Sequence, residues 1–195
     1  MWNQRYSDEQ YVYGTEPNDF LVAMSQQLSK GKALCIGEGE GRNAVWLAQR
    51  GFKVTAVDSS EIGLHKAEKL ARSRGVKIET IHADLADFPI ENQQWNTIIS
   101  IFCHLPSKLR EEVHKRCISG LHKQGTILLE AYTPLQLELN TGGPSKLDLM
   151  MDVNTLANDF KGLSFFHLQE RLREVNEGQY HHGTGAVVQV LAAKS

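Results

Sequence analysis

Several features that mark particular protein classes are scarce or missing in this sequence. The 195 residues include only three cysteines, and none has the C-x-x-C spacing of a zinc or redox site. Cys35 and Cys103 lie inside apolar segments, which favours buried, reduced thiols over disulfides. No apolar segment is long enough to span a bilayer, and no signal peptide is visible. We therefore expect a cytoplasmic protein that does not enter membranes.

An excess of charge of one sign is also lacking. Lys and Arg number 21 against 23 Asp and Glu, which gives a formal net charge of -2. This balance provides no basic surface for nucleic acid. The adjacent histidines His181 and His182 are predicted to lie on a strand, where neighbours face opposite sides, so a shared metal ion is disfavoured. We expect no metal and no nucleic-acid partner.

The most informative stretch is the glycine-rich segment Gly37-Glu38-Gly39-Glu40-Gly41, which follows the apolar residues 33–36. An apolar run, a glycine cluster and then a helical pattern indicate a buried strand that turns sharply into a helix. Glycine allows a ligand to approach the backbone closely, and the free N–H groups at the start of the helix point to the same place. The segment is typical of a ligand-binding turn. A glycine-rich turn without a ligand is the alternative.

The spacing of this turn discriminates between nucleotide ligands. A dinucleotide-binding turn has the pattern G-x-G-x-x-G, but Arg42 stands where the third glycine would be, and no phosphate-loop sequence is present. Glu38 and Glu40 would repel a pyrophosphate and suit a ligand with a cationic end. The pattern therefore favours S-adenosylmethionine over NAD or ATP.

Two acidic residues follow predicted strands and would lie at the same edge of a parallel sheet. Asp58 ends the strand predicted over 53–58, where a carboxylate can accept both hydroxyls of a ribose. Capping of the next helix is the alternative. Asp84 follows the strand predicted over 77–82 and could accept from an adenine amino group while the Leu85 N–H donates to the ring. An ordinary turn aspartate is the alternative there.

The next predicted strand, over 95–102, ends at the same crevice. Ligands of open parallel sheets bind outside the carboxyl ends of the strands. Phe102 and His104 are therefore expected at the mouth of the crevice. His104 is the candidate general base, and a purely structural histidine is the alternative.

The order of predicted elements indicates an α/β protein of a single domain over 1–195. Five β-α units precede two β-rich runs, 164–174 and 185–193, which are joined by a polar turn. The pattern predicts a doubly wound, Rossmann-like sandwich with a seven-stranded, mostly parallel sheet and a C-terminal antiparallel hairpin. We expect residues 1–30, an arm and a helix, to act as a lid. An arm that only packs its aromatic rings on the domain is the alternative. The long loop 133–150 is expected on the substrate side.

These motifs resemble those of class I S-adenosylmethionine-dependent methyltransferases over nearly the whole chain. The resemblance rests on Ile36 to Gly41 as the first motif, Val57-Asp58 as the second and Ala83-Asp84-Leu85 as the third. Residues 41–48 and 11–18 are similar to the bacterial branch that includes the tellurite-resistance and thiopurine-type methyltransferases.

The resemblance implies which residues bind the cofactor. The glycine turn would hold the methionine moiety, Asp58 the ribose, and Asp84 with Leu85 the adenine. Tyr13 would help to close the site. The full set of expected cofactor-binding residues also includes neighbours of these motifs: Tyr13, Gly37, Glu38, Gly39, Gly41, Asn43, Asp58, Ser59, Asp84, Leu85 and Phe102.

The sequence departs from the family pattern in the first motif. The family usually has an acidic residue two positions before the first glycine, and this chain has Cys35 there. Glu38 replaces a small residue of the family pattern and is expected to compensate for the missing charge. Asn96 stands where the family often has Asp, which we expect to matter little.

The function predicted from the sequence is in-line methyl transfer from S-adenosylmethionine to a small-molecule acceptor, such as a thiol or a chalcogen oxyanion. We expect a monomer or a homodimer. One alternative is a non-catalytic, Rossmann-type protein that binds S-adenosylmethionine or another nucleotide. An NAD-dependent oxidoreductase is a second alternative, which Arg42 and the acidic turn argue against.

Overall fold

A computed structural model describes residues 2–139, 141–178 and 182–195. The predicted pair His181-His182 lies partly outside these residues, because His181 is not among them. The strands are β1 (Lys32–Ile36), β2 (Lys53–Asp58), β3 (Glu79–His82), β4 (Trp95–Ile101), β5 (Leu121–Tyr132), β6 (Leu163–Asn176) and β7 (His182–Lys194). The helices are α1 (Trp2–Arg5), α2 (Asp19–Met24), α3 (Arg42–Gln49), α4 (Glu61–Ser73), α5 (Ser107–Gly120), α6 (Gln136–Leu139) and α7 (Val153–Asp159).

The seven strands form one sheet in the order β3-β2-β1-β4-β5-β7-β6. The pairs among β1 to β5 are parallel, whereas β7 is antiparallel to both β5 and β6. The strand order reverses at the neighbouring strands β1 and β4, which is the switch point where open α/β sheets bind their ligands. The predicted α/β fold with a C-terminal antiparallel hairpin is confirmed.

Apolar side chains cover both faces of the sheet. One core contains Leu34, Ile98 and Val113 and lies on the side of α5 and α7. The other contains Leu21, Cys35 and Leu47 and lies on the side of α2 and α3. The central strands are buried on both faces, which explains why their sequences read as continuous apolar runs rather than as alternating patterns.

Several boundaries differ from the sequence prediction. The helix predicted within residues 1–30 is short, because α2 ends at Met24 and continues as a 3₁₀ turn, Ser25–Gln27. The loop 133–150 contains less irregular chain than expected, because α6 and a 3₁₀ turn at Leu147–Leu149 lie within it. Both differences occur where short helical turns leave no long apolar period in the sequence. No described helix is long and apolar enough to cross a membrane.

Candidate functional site

The three glycines between β1 and α3 all adopt the left-handed conformation, with φ values of 60°, 63° and 89°. A Cβ atom on Gly37 would lie 2.6 Å from the sulfur of Cys103, and one on Gly39 would lie 2.5 Å from the hydroxyl oxygen of Tyr6. A side chain at Gly41 would instead overlap Ala67 of α4. Gly37 and Gly39 therefore allow Cys103 and Tyr6 to pack directly on the glycine turn, whereas Gly41 allows α3 and α4 to pack closely.

The carboxylate of Glu38 is directed at the start of α3. Its Oε1 accepts the backbone N–H groups of Asn43 and Ala44 at 3.0 and 2.8 Å. Burial raises the pKa of Glu38 to about 7, against the lowering effect of these hydrogen bonds and of Arg42. The Cys35 thiol hydrogen-bonds to the same carboxylate. The Glu38 carboxylate thus lies beside Cys35 and caps α3, the helix that follows the glycine turn.

Asp58 joins the ends of the first two motifs. Its two carboxylate oxygens accept the N–H groups of Gly39 and Ser60, both at 2.8 Å. The hydroxyl of Ser60 caps α4 by accepting the N–H of Gly63, so Asp58 is not the residue that performs this task. Burial raises the pKa of Asp58, and the backbone donors oppose that rise. The backbone N–H of Ser59 also donates to this carboxylate, so three backbone donors leave one of its four lone-pair sites for a ligand hydroxyl.

Glu40, the second acid of the turn, binds the N-terminal segment of the chain. Its Oε2 accepts the backbone N–H groups of Val12 and Tyr13 at 2.8 and 3.3 Å. Lys66 of α4 forms an ion pair with Glu40 at 2.5 Å and also donates to the carbonyls of Asp8 and Gln10. The sequence analysis assigned Glu40 to a cationic ligand, but the structure gives it the N-terminal segment and Lys66 as partners.

Aromatic side chains of the N-terminal segment lie over the glycine turn. Tyr6 is buried, stacks on Trp2 at 5.7 Å between ring centroids, and contacts Tyr13 edge-on at 6.3 Å. The Tyr13 hydroxyl accepts a hydrogen bond from Arg5 at 2.9 Å. Burial, followed by the charge of Asp58, raises the pKa of Tyr6. Tyr6 therefore lies in the same part of the crevice as Gly39 and Asp58.

The residues expected near the adenine occupy the next turn along the sheet edge. Asp84 is exposed, and its Oδ1 accepts the N–H of Ala86 at 2.8 Å, as in an ordinary aspartate turn. Leu85 is buried in the core beneath it. Ser59 is exposed and its carbonyl is 3.1 Å from the Nε2 of His82. Asn43 is buried, with its Oδ1 accepting the N–H of Asn18 at 2.9 Å.

A stack of rings forms the other side of the crevice. Phe102 has a φ of 50°, a strained value for a side chain of this size, and its ring lies 4.6 Å from that of Tyr132. His104 lies parallel to Tyr132 on the same side, with ring centroids 5.7 Å apart. The strained backbone of Phe102 thus turns its ring onto the end of β5.

Backbone groups engage both ring nitrogens of His104. Nδ1 lies 2.8 Å from the carbonyl oxygen of Leu149, so it carries the proton and donates. Nε2 accepts the N–H of Tyr132 at 3.5 Å. His104 therefore fastens the loop 133–150 to the end of β5 in this arrangement, and a role as general base would require one of these contacts to open.

Further hydrogen bonds hold the loop 133–150 to β7. Gln136 accepts the N–H of Ala186 at 2.8 Å and donates to Thr141, whose hydroxyl donates to the carbonyl of Thr184. A Cβ on Gly143 would lie 2.8 Å from the ring of Tyr132. The loop thus packs directly on the ring stack.

Three residues that fix the N-terminal segment at the glycine turn were not identified from the sequence. Tyr6, Lys66 and Glu177 were not assigned a role at the site. Tyr6 could have been noticed as one of several aromatic residues near the N-terminus, but no spacing signal connects Lys66 or Glu177 to the glycine turn. Among the described residues, no group of three or more His, Cys, Asp and Glu side chains could hold a metal ion.

These residues fit S-adenosylmethionine. The glycine turn carries no side chain at Gly37, Gly39 or Gly41, and the buried Asp58 carboxylate is hydrogen-bonded to it. Together with the sheet order, these features define the α/β Rossmann-like methyltransferase fold.

Comparison with known proteins agrees with this fold. Residues 33–125 match the family model described as a methyltransferase domain. The chain is 30% identical over 101 residues to a 2-heptyl-1-hydroxyquinolin-4(1H)-one methyltransferase of Mycobacteroides abscessus. The aligned region covers 50% of this chain and 44% of that protein. The chain spans less than half the length of the curated relatives that it matches, between 22% and 44%.

Solved structures resemble almost the entire chain. TehB from Haemophilus influenzae has a TM-score of 0.75 and 20% identity, with 100% of this chain and 66% of that chain covered. A structure from a study of the conversion of a disulfide bond into a thioacetal group during echinomycin biosynthesis has a TM-score of 0.79 and 17% identity, with 99% and 88% covered.

Proposed function

We propose that this protein transfers a methyl group from S-adenosylmethionine to a small-molecule acceptor. The observation that carries the proposal is the junction of the glycine turn with Asp58, where a buried carboxylate is hydrogen-bonded to the turn at the switch point of the sheet. The match of residues 33–125 to a methyltransferase domain supports it.

The cofactor-binding residues divide by the part of the cofactor that each would contact. The turn Gly37–Gly41, with Glu38 and Asn43 at the start of α3, would hold the methionine moiety. Asp58 and Ser59 would bind the ribose, and Asp84 with Leu85 would bind the adenine. Tyr13 and Phe102 would close the crevice from its two sides.

The chain contributes mainly by positioning and by excluding water. When bound, S-adenosylmethionine supplies an electrophilic methyl group. Tyr6 and Tyr13 cover the cofactor side, and the ring stack of Phe102, Tyr132 and His104 walls the acceptor side. Alignment of two reactants in such an enclosed site can contribute up to about 7–11 kcal/mol.

We infer that the acceptor is a soft nucleophile, a thiol or a reduced chalcogen species. Such a nucleophile needs little help from a general base, which agrees with the engagement of both His104 nitrogens by backbone groups. The likeness to TehB, and to the structure connected with disulfide-to-thioacetal conversion, supports a place near the tellurite-resistance and thiopurine-type branch. An oxygen acceptor would instead require His104 as the base.

The proposal includes the setting of the reaction. A small acceptor fits a chain with a near-neutral charge and no basic surface for nucleic acid, although one distant relative is named a tRNA methyltransferase. We propose that the protein works in the cytoplasm, without a metal ion or a membrane partner, as a monomer or a homodimer. The single domain over 1–195 carries both its lid (residues 1–30) and its substrate-side loop (133–150).

Calorimetric titration with S-adenosylhomocysteine, S-adenosylmethionine and NAD tests the cofactor. We expect micromolar binding of the first two and no binding of NAD. Incubation with radiolabelled S-adenosylmethionine and small thiols, tellurite or the hydroxyquinolone then tests transfer. Binding without transfer to any acceptor would favour the non-catalytic binding protein, and binding of NAD alone would overturn the proposal.

A further inference from the structure

Two segments far apart in sequence meet above the crevice. One is the N-terminal arm, residues 2–18. The other is the hairpin turn, which here means residues 176–178 and 182–183 at the ends of β6 and β7. Gly178 has a φ of 76°, and a Cβ atom on it would lie 2.5 Å from the Cα of Tyr13. The arm and the hairpin turn are therefore in direct backbone contact, with no room for a side chain between them.

A charge-balanced cluster lies beneath this contact. It consists of two arginines and two glutamates, Arg42, Arg173, Glu130 and Glu177, all largely buried. Arg42 donates to Glu177 at 2.5 Å, and Arg173 donates to Glu177 at 2.8 Å and also to Glu130. Arg42 belongs to the first turn of the cofactor helix α3, whereas Glu177 belongs to the hairpin turn.

The cluster also holds the arm. The side-chain amide of Asn18 donates to Glu130 at 2.9 Å and to Glu177 at 3.0 Å. The Asn18 backbone N–H donates to Asn43, and Arg42 donates to the carbonyl of Glu16 at 3.4 Å. The arm, the cofactor helix and the hairpin turn therefore share one buried network. Because breaking a buried ion pair leaves an uncompensated charge, its members are expected to separate together rather than singly.

We propose that Arg42 and Glu177 are positioning residues that join the N-terminal arm and the hairpin turn into a single cover, so that the cofactor and acceptor sides of the crevice open and close together. The arm covers the cofactor side through Tyr6 and Tyr13. The hairpin turn follows β6 on the side of β5, where Glu130 and Tyr132 lie. The part of the inference that concerns ligands rests on the proposed function.

A joined cover has a thermodynamic consequence. A ligand that favours the closed arm also favours the closed hairpin turn, although it contacts only the arm. By linkage, an acceptor that favours the closed turn strengthens the binding of the cofactor by the same factor. Glu177 would thereby act on cofactor affinity from the opposite side of the crevice.

Native-state hydrogen exchange measures the joined opening without any ligand. If the cover is one unit, the amides of Val12 and Asn18 in the arm share an opening free energy, and its dependence on denaturant, with the amides of residues 182–184. In Glu177→Gln, exchange at both segments is expected to accelerate together by about tenfold or more, although the substitution lies only in the turn. Glu112→Gln, the same chemical change at an exposed glutamate of α5, is the control and should leave both segments unchanged.

A second variant covers the case in which Glu177→Gln unfolds. Arg42→Gln combined with Glu177→Gln removes the Arg42–Glu177 and Arg173–Glu177 ion pairs and keeps the cluster neutral, with Arg173 and Glu130 still paired. Its two segments should also exchange faster, but with different opening free energies and different denaturant slopes, because the link between them is gone. Equal slopes in this variant would overturn the inference.

S-adenosylhomocysteine is then used to test the effect of a bound ligand on both segments. In the wild type, it should slow exchange of the arm and of the hairpin turn by the same factor. In the charge-neutral double variant, it should slow the arm alone. Binding with unlinked segments in the wild type would overturn this inference and leave the proposed function intact. Failure of the wild type to bind would overturn the proposed function and the ligand-dependent part of the inference together, while the ligand-free exchange would still decide whether the cover is one unit.

Discussion

Asp58 performs two tasks, and a substitution can separate them. Its carboxylate holds the glycine turn through the Gly39 N–H and is placed to accept ribose hydroxyls. A side-chain oxygen alone can keep the Gly39 contact, whereas charge-assisted hydrogen bonds to ribose need the ionised group. The two functions therefore respond differently to loss of charge and loss of the whole side chain.

We expect Asp58→Ala to weaken S-adenosylhomocysteine binding roughly ten- to hundredfold, since a lost charged hydrogen-bond partner typically costs about 1.5–3 kcal/mol. Asp58→Asn should weaken binding less and preserve the melting temperature better. Isothermal titration calorimetry of both variants measures the difference. Unchanged affinity in Asp58→Ala would rule out the ribose assignment.

Glu38 makes the free energy of unfolding decrease as the pH rises, which is opposite to the usual effect of an acidic residue. Burial raises its pKa to about 7 from the ordinary value of 4.5, so the folded protein binds this proton more tightly than the unfolded chain. The resulting stabilisation is fully present below about pH 4.5 and is lost as the pH rises through 7.

In Glu38→Gln this pH dependence should disappear, because the amide is neutral at every pH and still offers an oxygen to α3. We expect the free energy of unfolding to fall by about 2 kcal/mol less between pH 5 and 8 in the variant than in the wild type. Urea denaturation at several pH values measures it. The exposed substitution Glu61→Gln serves as the control, and a variant whose profile matches the wild type would contradict the assignment.

At the scale of elements, the arm depends on one bare position in the glycine turn. Tyr6 packs where a side chain on Gly39 would lie, so Gly39→Ala should displace the arm. Gly75 has a similar φ of 70° with nothing within 4 Å, and Gly75→Ala therefore shares the backbone strain without the clash.

Tryptic cleavage after Arg5 reports on the arm. It should be several-fold faster in Gly39→Ala than in Gly75→Ala, because Tyr6 is buried only while the arm is closed. Both variants should lose about 1–2 kcal/mol of stability from the left-handed conformation alone. Equal cleavage rates would show that Tyr6 does not depend on Gly39.

The elements that sequence patterns predicted best are those with a local signal. The strand–glycine–helix unit over 33–48 could be predicted because its apolar run, its glycines and its helical period lie within sixteen residues. The partners of two charged residues in that unit could not be predicted. Glu40 binds Lys66 and the arm, and Arg42 binds Glu177, which is 135 positions away. Buried charges find partners through the fold, and no local period records them.

At the scale of the whole molecule, ligand binding should appear as thermal stabilisation. A ligand at 100 times its dissociation constant adds about 2.7 kcal/mol to stability. For a domain of this size, each kcal/mol raises the melting temperature by about 2–4 °C. We expect S-adenosylhomocysteine to raise it by about 5–10 °C and NAD to leave it unchanged, as measured by scanning calorimetry. An equal shift with NAD would contradict the cofactor assignment.

The sheet order has a consequence for how the chain is made. β7 lies between β5 and β6, yet it is the last strand to be synthesised. Until residues 182–194 leave the ribosome, one edge of the apolar strand β5 has no partner, and β6 has none at all. Strand pairings of this kind close late, and unpaired apolar edges aggregate. A nascent chain of this protein thus covers this apolar edge last, and we expect refolding yields to fall steeply with concentration.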